Sequence, residues 1–539
     1  MKKYILFITL YLPVLLYSQN NMEIIWQSCF GGSQNEWVES IVELNNDYYV
    51  LGSIYSDDGN ITNSHGGKEL WLVKTDSIGN LLWEKCYGGS NTELATNIIK
   101  DSLGYLYLGG WVYSNDGDVQ SFHHGGFDRW VVKIDNQGEI IWEKCYGGSG
   151  LDYGGTLELL RDGNILVYGA TTSSDGDVPV NYGYLDVWLM IISPEGEILQ
   201  SEVYGNIGQN NVFDIIETRD GGFFMACKAQ EEEGMVEGDF HGNTDVWAVK
   251  LDTELNIEWQ KLYGGSWDDY GYSGVLELDN GYLFLAKTNS TDFDVVGFHG
   301  IAGQDEVDIW AVRIDTIGNI IWQNCLGGTS WDNSGTLHQT EDGGFMIFGE
   351  TKSNNGDVSG NNSNNTYSDI WMVKLNSEGE IIWQQCYGGL GSERLYKGVI
   401  QKSDHNWIVA GRTHLMSENS FDVNCDLHGH DDYWIFEIKD TTVGISQTPQ
   451  NETLKVYPNP ANNYVVFETE NPANVIARSA ATKQSHTITI SNTYGQQITI
   501  LQVKDNKTIW DTRSINSGVY FYSLIIDGKF KSGKVIVQH

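Results

Sequence analysis

Residues 128–148 read DRWVVKIDNQGEIIWEKCYGG. Two short, alternating apolar segments, each built around a tryptophan, flank Asp135-Asn136-Gln137-Gly138, a run of turn formers ending in a glycine that tolerates positive φ. This is a β-hairpin, and it returns along the chain. Its first tryptophan, with an acidic residue two positions before it, recurs as Glu69/Trp71, Asp128/Trp130, Asp186/Trp188, Asp245/Trp247, Asp308/Trp310, Asp369/Trp371 and Asp432/Trp434. Its second recurs as Trp26, Trp83, Trp142, Trp259, Trp322 and Trp383, with Gln200 in the remaining slot. The intervals are 57, 59, 58, 59, 63 and 61 residues, so the period is close to 60 and the length variation falls in loops. Two more strands are expected between hairpins, at 41–44 and 48–55 in the first unit, and later units turn at Asp162-Gly163, Asp220-Gly221-Gly222 and Asp342-Gly343-Gly344. Four strands per repeat with no helical periodicity describe a propeller blade, whereas solenoid coils are shorter. The expected fold is all-β: a seven-bladed β-propeller of four-stranded blades, followed by a small antiparallel β-sandwich.

The phase of the repeat sets the domain boundaries. The Trp26 strand is the last strand of a unit standing before the first, and the final unit stops after its Trp434 strand, so Trp26 is expected to complete the last blade within a propeller at 20–440. Before it, Lys2 and Lys3 precede thirteen residues of apolar character (4–16) and then Tyr17-Ser18-Gln19. This is the order of a secretory signal, here 1–18, and is too short for the ~20 residues of a membrane span. After a linker at 441–452, residues 453–539 have a different composition. Residues 451–539 hold nine Lys and Arg against six Asp and Glu, a net +3, which leaves −43 on the rest of a chain whose total is −40. Such a charge excludes a nucleic-acid partner, because a polyanion is repelled. An aromatic content of 12% excludes an acidic disordered chain.

The turn and tryptophan element resembles the tryptophan-docking repeat of quinoprotein-type propellers. The resemblance implies the scaffold and carries over no cofactor set. Cys29, Cys86, Cys145, Cys325 and Cys386 all stand three residues after the repeat tryptophan. Equivalent positions in different blades are too far apart to bridge. Cysteine here reads as a small apolar filler, Cys227 and Cys425 lie elsewhere, and no disulfide is expected.

The loop before each acidic-Trp strand carries Asp-Gly-Asp followed by His-Gly or a variant of it. Asp116, Asp118, Asp175 and Asp177 are candidate calcium ligands, since clustered carboxylates beside a glycine suit that ion. The full calcium-loop spacing and its late bidentate Glu are missing, and Asp accepting backbone N–H bonds in turns is the favoured reading. His65, His124, His241, His299 and His428 recur about once per blade and read as loop packing. The acidic residue before each Trp, repeated seven times, argues for a structural bond in every blade. A catalytic pair breaks symmetry, and no catalytic residue is assigned. Departures from the repeat stand at 231–233, Trp267-Asp268-Asp269 and 292–306, and a ligand pocket is expected at the central funnel.

Residues 454–460 read LKVYPNP, opening a second run of alternating segments at 464–468, 487–491, 497–503, 519–526 and 529–537. Tyr457-Pro458-Asn459-Pro460, Gly495 in Tyr-Gly-Gln, Gly518 and Tyr520 in Ser-Gly-Val-Tyr, Gly528-Lys529 and the terminal Lys534 segment follow in order. Together they resemble the type A C-terminal sorting domain of the type IX secretion system, a family of Bacteroidota. The resemblance implies export through that machinery, removal of the domain by a sortase-like peptidase, and release of the cargo or its attachment to surface lipopolysaccharide. Residues 474–485 (NVIARSAATKQS) read as an insertion between two strands. The expectation is a secreted or cell-surface propeller that binds a glycan or protein without catalysis. Two alternatives stand beside it, a polysaccharide- or peptide-degrading enzyme and a calcium-stabilised structural protein.

Overall fold

The computed structural model describes residues 22–230, 234–363, 366–414, 421–440, 454–458, 460–469, 487–492, 497–503, 507–526 and 529–539. The expected signal at 1–18, the expected linker, residues 231–233, Asn459, Gly495, Gly528 and the expected insertion at 474–485 lie outside them. The chain divides into two units, Met1–Asp440 and Thr441–His539.

Among the described residues, the first unit is seven antiparallel four-stranded sheets in chain order, the blades of a β-propeller. Blade 1 has strands Glu36–Leu44, Asp47–Ile54, Glu69–Thr75 and Leu81–Tyr87 from the axis outward. Its first strand begins at Glu36, five residues before the expected start at 41. Blades 2 to 6 span 93–146, 152–204, 211–263, 269–326 and 332–387. Blade 7 takes strands Val399–Ser403, Asn406–His414 and Asp431–Asp440 from the end of the unit and Met22–Phe30 from its beginning.

The repeat tryptophans explain the repeat. Trp71, Trp130, Trp188, Trp247, Trp310, Trp371 and Trp434 are all fully buried. Each packs between sheets, as Trp130 does against Leu70 and Leu72 of blade 1. A buried indole N–H needs an acceptor, and each finds one on the neighbouring strand: Glu84, Glu143, Ser201, Gln260, Gln323, Gln384 and Gln27, at 2.7 to 3.0 Å. Blades are joined by tyrosines that end the outer strands. Tyr87, Tyr146 and Tyr204 donate to Gly138 O, Gly196 O and Leu255 O of the next blade at 2.6 to 2.8 Å, and Tyr387 donates to Met22 O at 2.9 Å.

One expectation is corrected: Cys29 and Cys425 form a disulfide, with Cα atoms 5.6 Å apart. The repeat cysteine does not face its equivalents; it faces the loop ahead of the third strand of its own blade. Cys86 Sγ lies 3.6 Å from Thr62 O and Cys386 Sγ 3.5 Å from Ser359 O, both in such loops. In blade 7 that loop supplies Cys425, and because Cys29 comes from the other end of the unit the bond spans 396 residues of sequence. A loop this long is costly to close in the unfolded chain, so Cys425→Ser is expected to lower stability by about 3 kcal/mol. The denaturant midpoint measures it, and a reducing agent shifts the parent but not the variant.

The second unit pairs a three-stranded sheet (Leu454–Tyr457, Tyr464–Thr469, Lys507–Asp511) with a four-stranded one (Gln497–Gln502, Thr487–Asn492, Gly518–Ile526, Lys529–Val537). Val465, Phe467, Ile488, Ile490, Trp510 and Val535 fill the space between. Strand Lys507–Asp511 was not anticipated from the sequence. Tyr520 is buried edge-to-face on Trp510 and donates to Asn516 O at 2.8 Å. Tyr457 donates to Glu468 at 2.5 Å, Pro458 and Pro460 follow it in the connection, and Lys534 lies exposed on the last strand with Lys529 at its start.

Candidate functional site

The end of each blade that bears the Gly-Gly and Asp-Gly-Asp loops is called the upper face. Its acidity is largely structural, and it comes in rows. In the first row, the acid two before each repeat tryptophan accepts a backbone N–H from the loop ahead: His124 N to Asp128 at 2.6 Å, His241 N to Asp245 at 2.9 Å, Asn362 N to Asp369 at 2.8 Å and His428 N to Asp432 at 2.7 Å. Glu69, Asp186 and Asp308 do the same with His65, Tyr182 and His299. The second row was not anticipated from the sequence. Glu36, Glu93, Asp152, Asn210, Asp269 and Asp332 stand at the start of the inner strands and Glu393 ahead of the inner strand of blade 7, and they accept the second amide of the Gly-Gly turn or its equivalent, at 2.6 to 3.0 Å.

The candidate calcium ligands belong to the same scheme. Asp116 accepts from Ser90 N and Asp175 from Ser149 N, each at 2.7 Å, while Asp118 and Asp177 accept from Gly88 N and Gly147 N at 3.2 Å. These oxygens face amide donors, and among the described residues no group of three or more His, Cys, Asp or Glu could hold a metal.

Burial pushes several of these carboxyls up, Asp332 to about 6, Asp369 to about 7 and Glu393 to about 8. The Asp308 carboxylate raises His299, and Glu69 outweighs burial to raise His65. A carboxyl or imidazole that holds its proton more tightly in the folded state contributes stability at low pH, and loses it as pH rises through the folded value. Both kinds of group therefore act in one direction, and self-repulsion of the acidic surface grows with them. The melting temperature is expected to fall continuously from pH 5.5 to pH 8, which a pH series of melts in constant salt checks.

The blades cease to resemble one another at one register. Where the two inner strands pair next to the second acidic row, blades 1 to 3 place Trp37 opposite Ser53, Leu94 opposite Trp111 and Tyr153 opposite Ala170. Blades 4 to 7 place Asn211 opposite Lys228, Tyr270 opposite Lys287, Asn333 opposite Glu350 and Arg394 opposite Arg412. One side of the ring is aromatic: Trp111 packs on Phe127 and Tyr153 with ring centroids 4.7 and 5.1 Å away. The other is charged. Lys287 Nζ stands 4.5 Å over Tyr270, and burial pushes its pKa down to about 8. Arg412 pairs with Asp431 at 3.0 Å. Arg394 Nε is 3.9 Å from Glu350, whose carboxyl burial pushes up to about 7.

The expected funnel is crossed by a side chain. Lys397, in the segment leading to the short inner strand of blade 7, places Nζ 2.7 Å from Asp214 of blade 4 and 2.8 Å from the Tyr168 hydroxyl of blade 3. Those blades stand opposite blade 7, so the side chain spans the axis. Asp214 also accepts Gly274 N and Val275 N of blade 5 at 3.1 and 3.0 Å. Among the open spaces away from the axis is a cavity of about 310 Å³ on blades 5 to 7, lined by Asp305, Glu306, Ser330, Trp331, Lys352 and Arg394. Two irregular segments meet beside it. Gly303 (φ +73°) lies so close to Trp267 that a Cβ there would sit 2.6 Å from the indole, and Asn289 holds the same loop by Gly303 N at 3.1 Å and Gln304 O at 2.9 Å.

No curated protein matches the chain. Among solved structures, it is similar to the Pan2 WD40 domain of Neurospora crassa at 9% identity and TM-score 0.40, covering 78% of this chain and 96% of that one. It is similar to Drosophila Plexin A in complex with Semaphorin 1b at 8% identity and TM-score 0.37, covering 78% and 88%. It is also similar to a PQQ-bound aldose sugar dehydrogenase of Streptomyces coelicolor at 13% identity and TM-score 0.34, covering 78% and 98%. Residues 455–538 match the family model of the secretion system C-terminal sorting domain. The chain thus carries a β-propeller and a type IX sorting domain, which marks it for export to the cell surface or beyond.

Proposed function

We propose that the propeller is a non-catalytic binding module that recognises a glycan or a protein through its upper face. The observation that carries this reading is the ring of unlike residues, aromatic on blades 1 to 3 and charged on blades 4 to 7, set in a scaffold whose other upper-face positions repeat. Variation at one register of an otherwise repeated strand scaffold is where recognition is placed. The acids of the two rows around it are engaged with backbone amides and so are poorly placed to serve as an acid and base pair. Handling by the type IX machinery, removal of the second unit by a sortase-like peptidase and attachment to surface lipopolysaccharide belong to the same proposal.

The full chain, screened against polysaccharides and outer-surface proteins, is expected to bind one class and leave it chemically unchanged. Glu350 supports the enzymatic alternative, since a carboxyl near neutrality suits a general acid. Release of product that Glu350→Gln abolishes would establish the enzyme instead.

A further inference from the structure

The cavity on blades 5 to 7 combines three chemistries in one small space, and the combination is selective. Lys352 and Arg394 supply positive charge, although the propeller and its leading segment carry −43. Lys352 Nζ stands 5.7 Å over the centre of the Trp331 ring, and cation and indole line the same volume. Glu306 lines the cavity, and its Oε2 is shielded from solvent yet has no hydrogen-bond partner among the described residues. A shielded carboxylate oxygen without a donor is a costly arrangement, and turning the Glu306 carboxylate toward the cavity lets a ligand hydroxyl relieve it. A second carboxylate, Asp305, and the Ser330 hydroxyl also line it.

A carbohydrate ring offers an apolar C–H face to an indole and hydroxyl donors to a carboxylate. Its neutral forms bring no anion to Lys352 and Arg394, and an acidic peptide has neither a C–H ring face for the indole nor hydroxyl donors for Glu306. A sugar bearing its own carboxylate satisfies all three features, with the carboxylate toward Arg394 and Lys352 through charge-assisted bonds. We infer that this cavity binds a uronic-acid unit of an acidic polysaccharide, its ring against Trp331 and its hydroxyls toward Glu306. This deepens the reading of the propeller as a binding module and rests on it. The volume, about 310 Å³, lies at the small end for ligand sites and suits one or two sugar units rather than a long chain. The cations of the ring behind it, Lys287 and Lys228, extend the positive field toward the axis.

The test is calorimetric titration of the full chain with trigalacturonate, a neutral trisaccharide of galactose, and a short polyglutamate. Trigalacturonate is expected to bind with an affinity that falls as salt is raised, and to bind at least about tenfold more weakly to Arg394→Gln, to Lys352→Gln and to Trp331→Ala. Each variant is melted alongside, so that a loss through unfolding is recognised, and Lys352→Arg is expected to retain binding because charge alone is kept. Equal binding of the neutral sugar, equal binding of polyglutamate, or unchanged affinity in folded Arg394→Gln each overturns the assignment. If trigalacturonate fails while another ligand of the surface screen binds, the uronate site is wrong and the binding module stands. If nothing binds and a substrate is consumed, both fall.

Discussion

Deleting residues 20–34 is expected to lower the melting temperature by roughly 15 °C or more, or to leave the protein insoluble. The deletion removes the strand Met22–Phe30, which pairs with Tyr433 to Asp440 of the strand Asp431–Asp440. Trp434 then loses the Gln27 acceptor for its buried indole, Glu437 loses Trp26 at 2.7 Å, and Tyr387 loses the carbonyl of Met22. The disulfide to Cys425 goes with them. What remains is a strand edge beside Trp434 and Phe436, both fully buried in the intact protein, and such an edge templates association. Calorimetry and light scattering measure the two parts of the effect. A deletion that melts with the parent would overturn the closure described for blade 7, whereas rescue by the missing peptide added in trans supports it.

Lys397→Met is expected to cost about 3–5 kcal/mol, the usual penalty for removing one partner of an enclosed ion pair. Burial disfavours the Lys397 charge, but Asp214 and Tyr168 outweigh burial and hold its pKa well above the ordinary lysine value. Without the ammonium, Asp214 keeps a charge in the channel with the Tyr168 hydroxyl and the amides of Gly274 and Val275 as its remaining donors. Adding Asp214→Asn removes that charge while preserving an acceptor for the amides, so the double variant is expected to recover most of the loss. Denaturant midpoints of the four proteins give the coupling directly. Equal losses in single and double variants would show that Lys397 acts by packing alone.

The period, the all-β character and the sorting segment were legible in the sequence because each rests on residues that recur or follow in fixed order. The tryptophans mark the third strands, and the residue after the second tryptophan accepts the indole bond, although that partnership shows only when neighbouring strands are seen side by side. The second acidic row escaped notice for a related reason: Glu36, Glu93 and Asp152 differ in length and stand among varied residues, while the amide they serve is four residues back. The disulfide escaped because equivalent cysteines were compared with one another, when the partner of Cys29 is a loop residue that only ring closure brings near. Lys397 meets Asp214 across 183 residues, a contact no local pattern contains. The register at which the blades differ becomes visible only once strand pairing aligns Lys228, Lys287, Glu350 and Arg412.

Blade 7 also sets an order in time. Its outermost strand is among the first segments of the unit to be made, and it has no partner until Asp440 has followed, so the first part of the propeller to emerge is the last to be secured. Contacts this distant in sequence are slow to form and leave the unfinished ring exposed in the meantime. A chain broken off anywhere before the last blade cannot close and keeps two open edges. Closure thus separates finished molecules from interrupted ones, and a fragment presents itself to proteolysis by the same edges that the complete protein conceals.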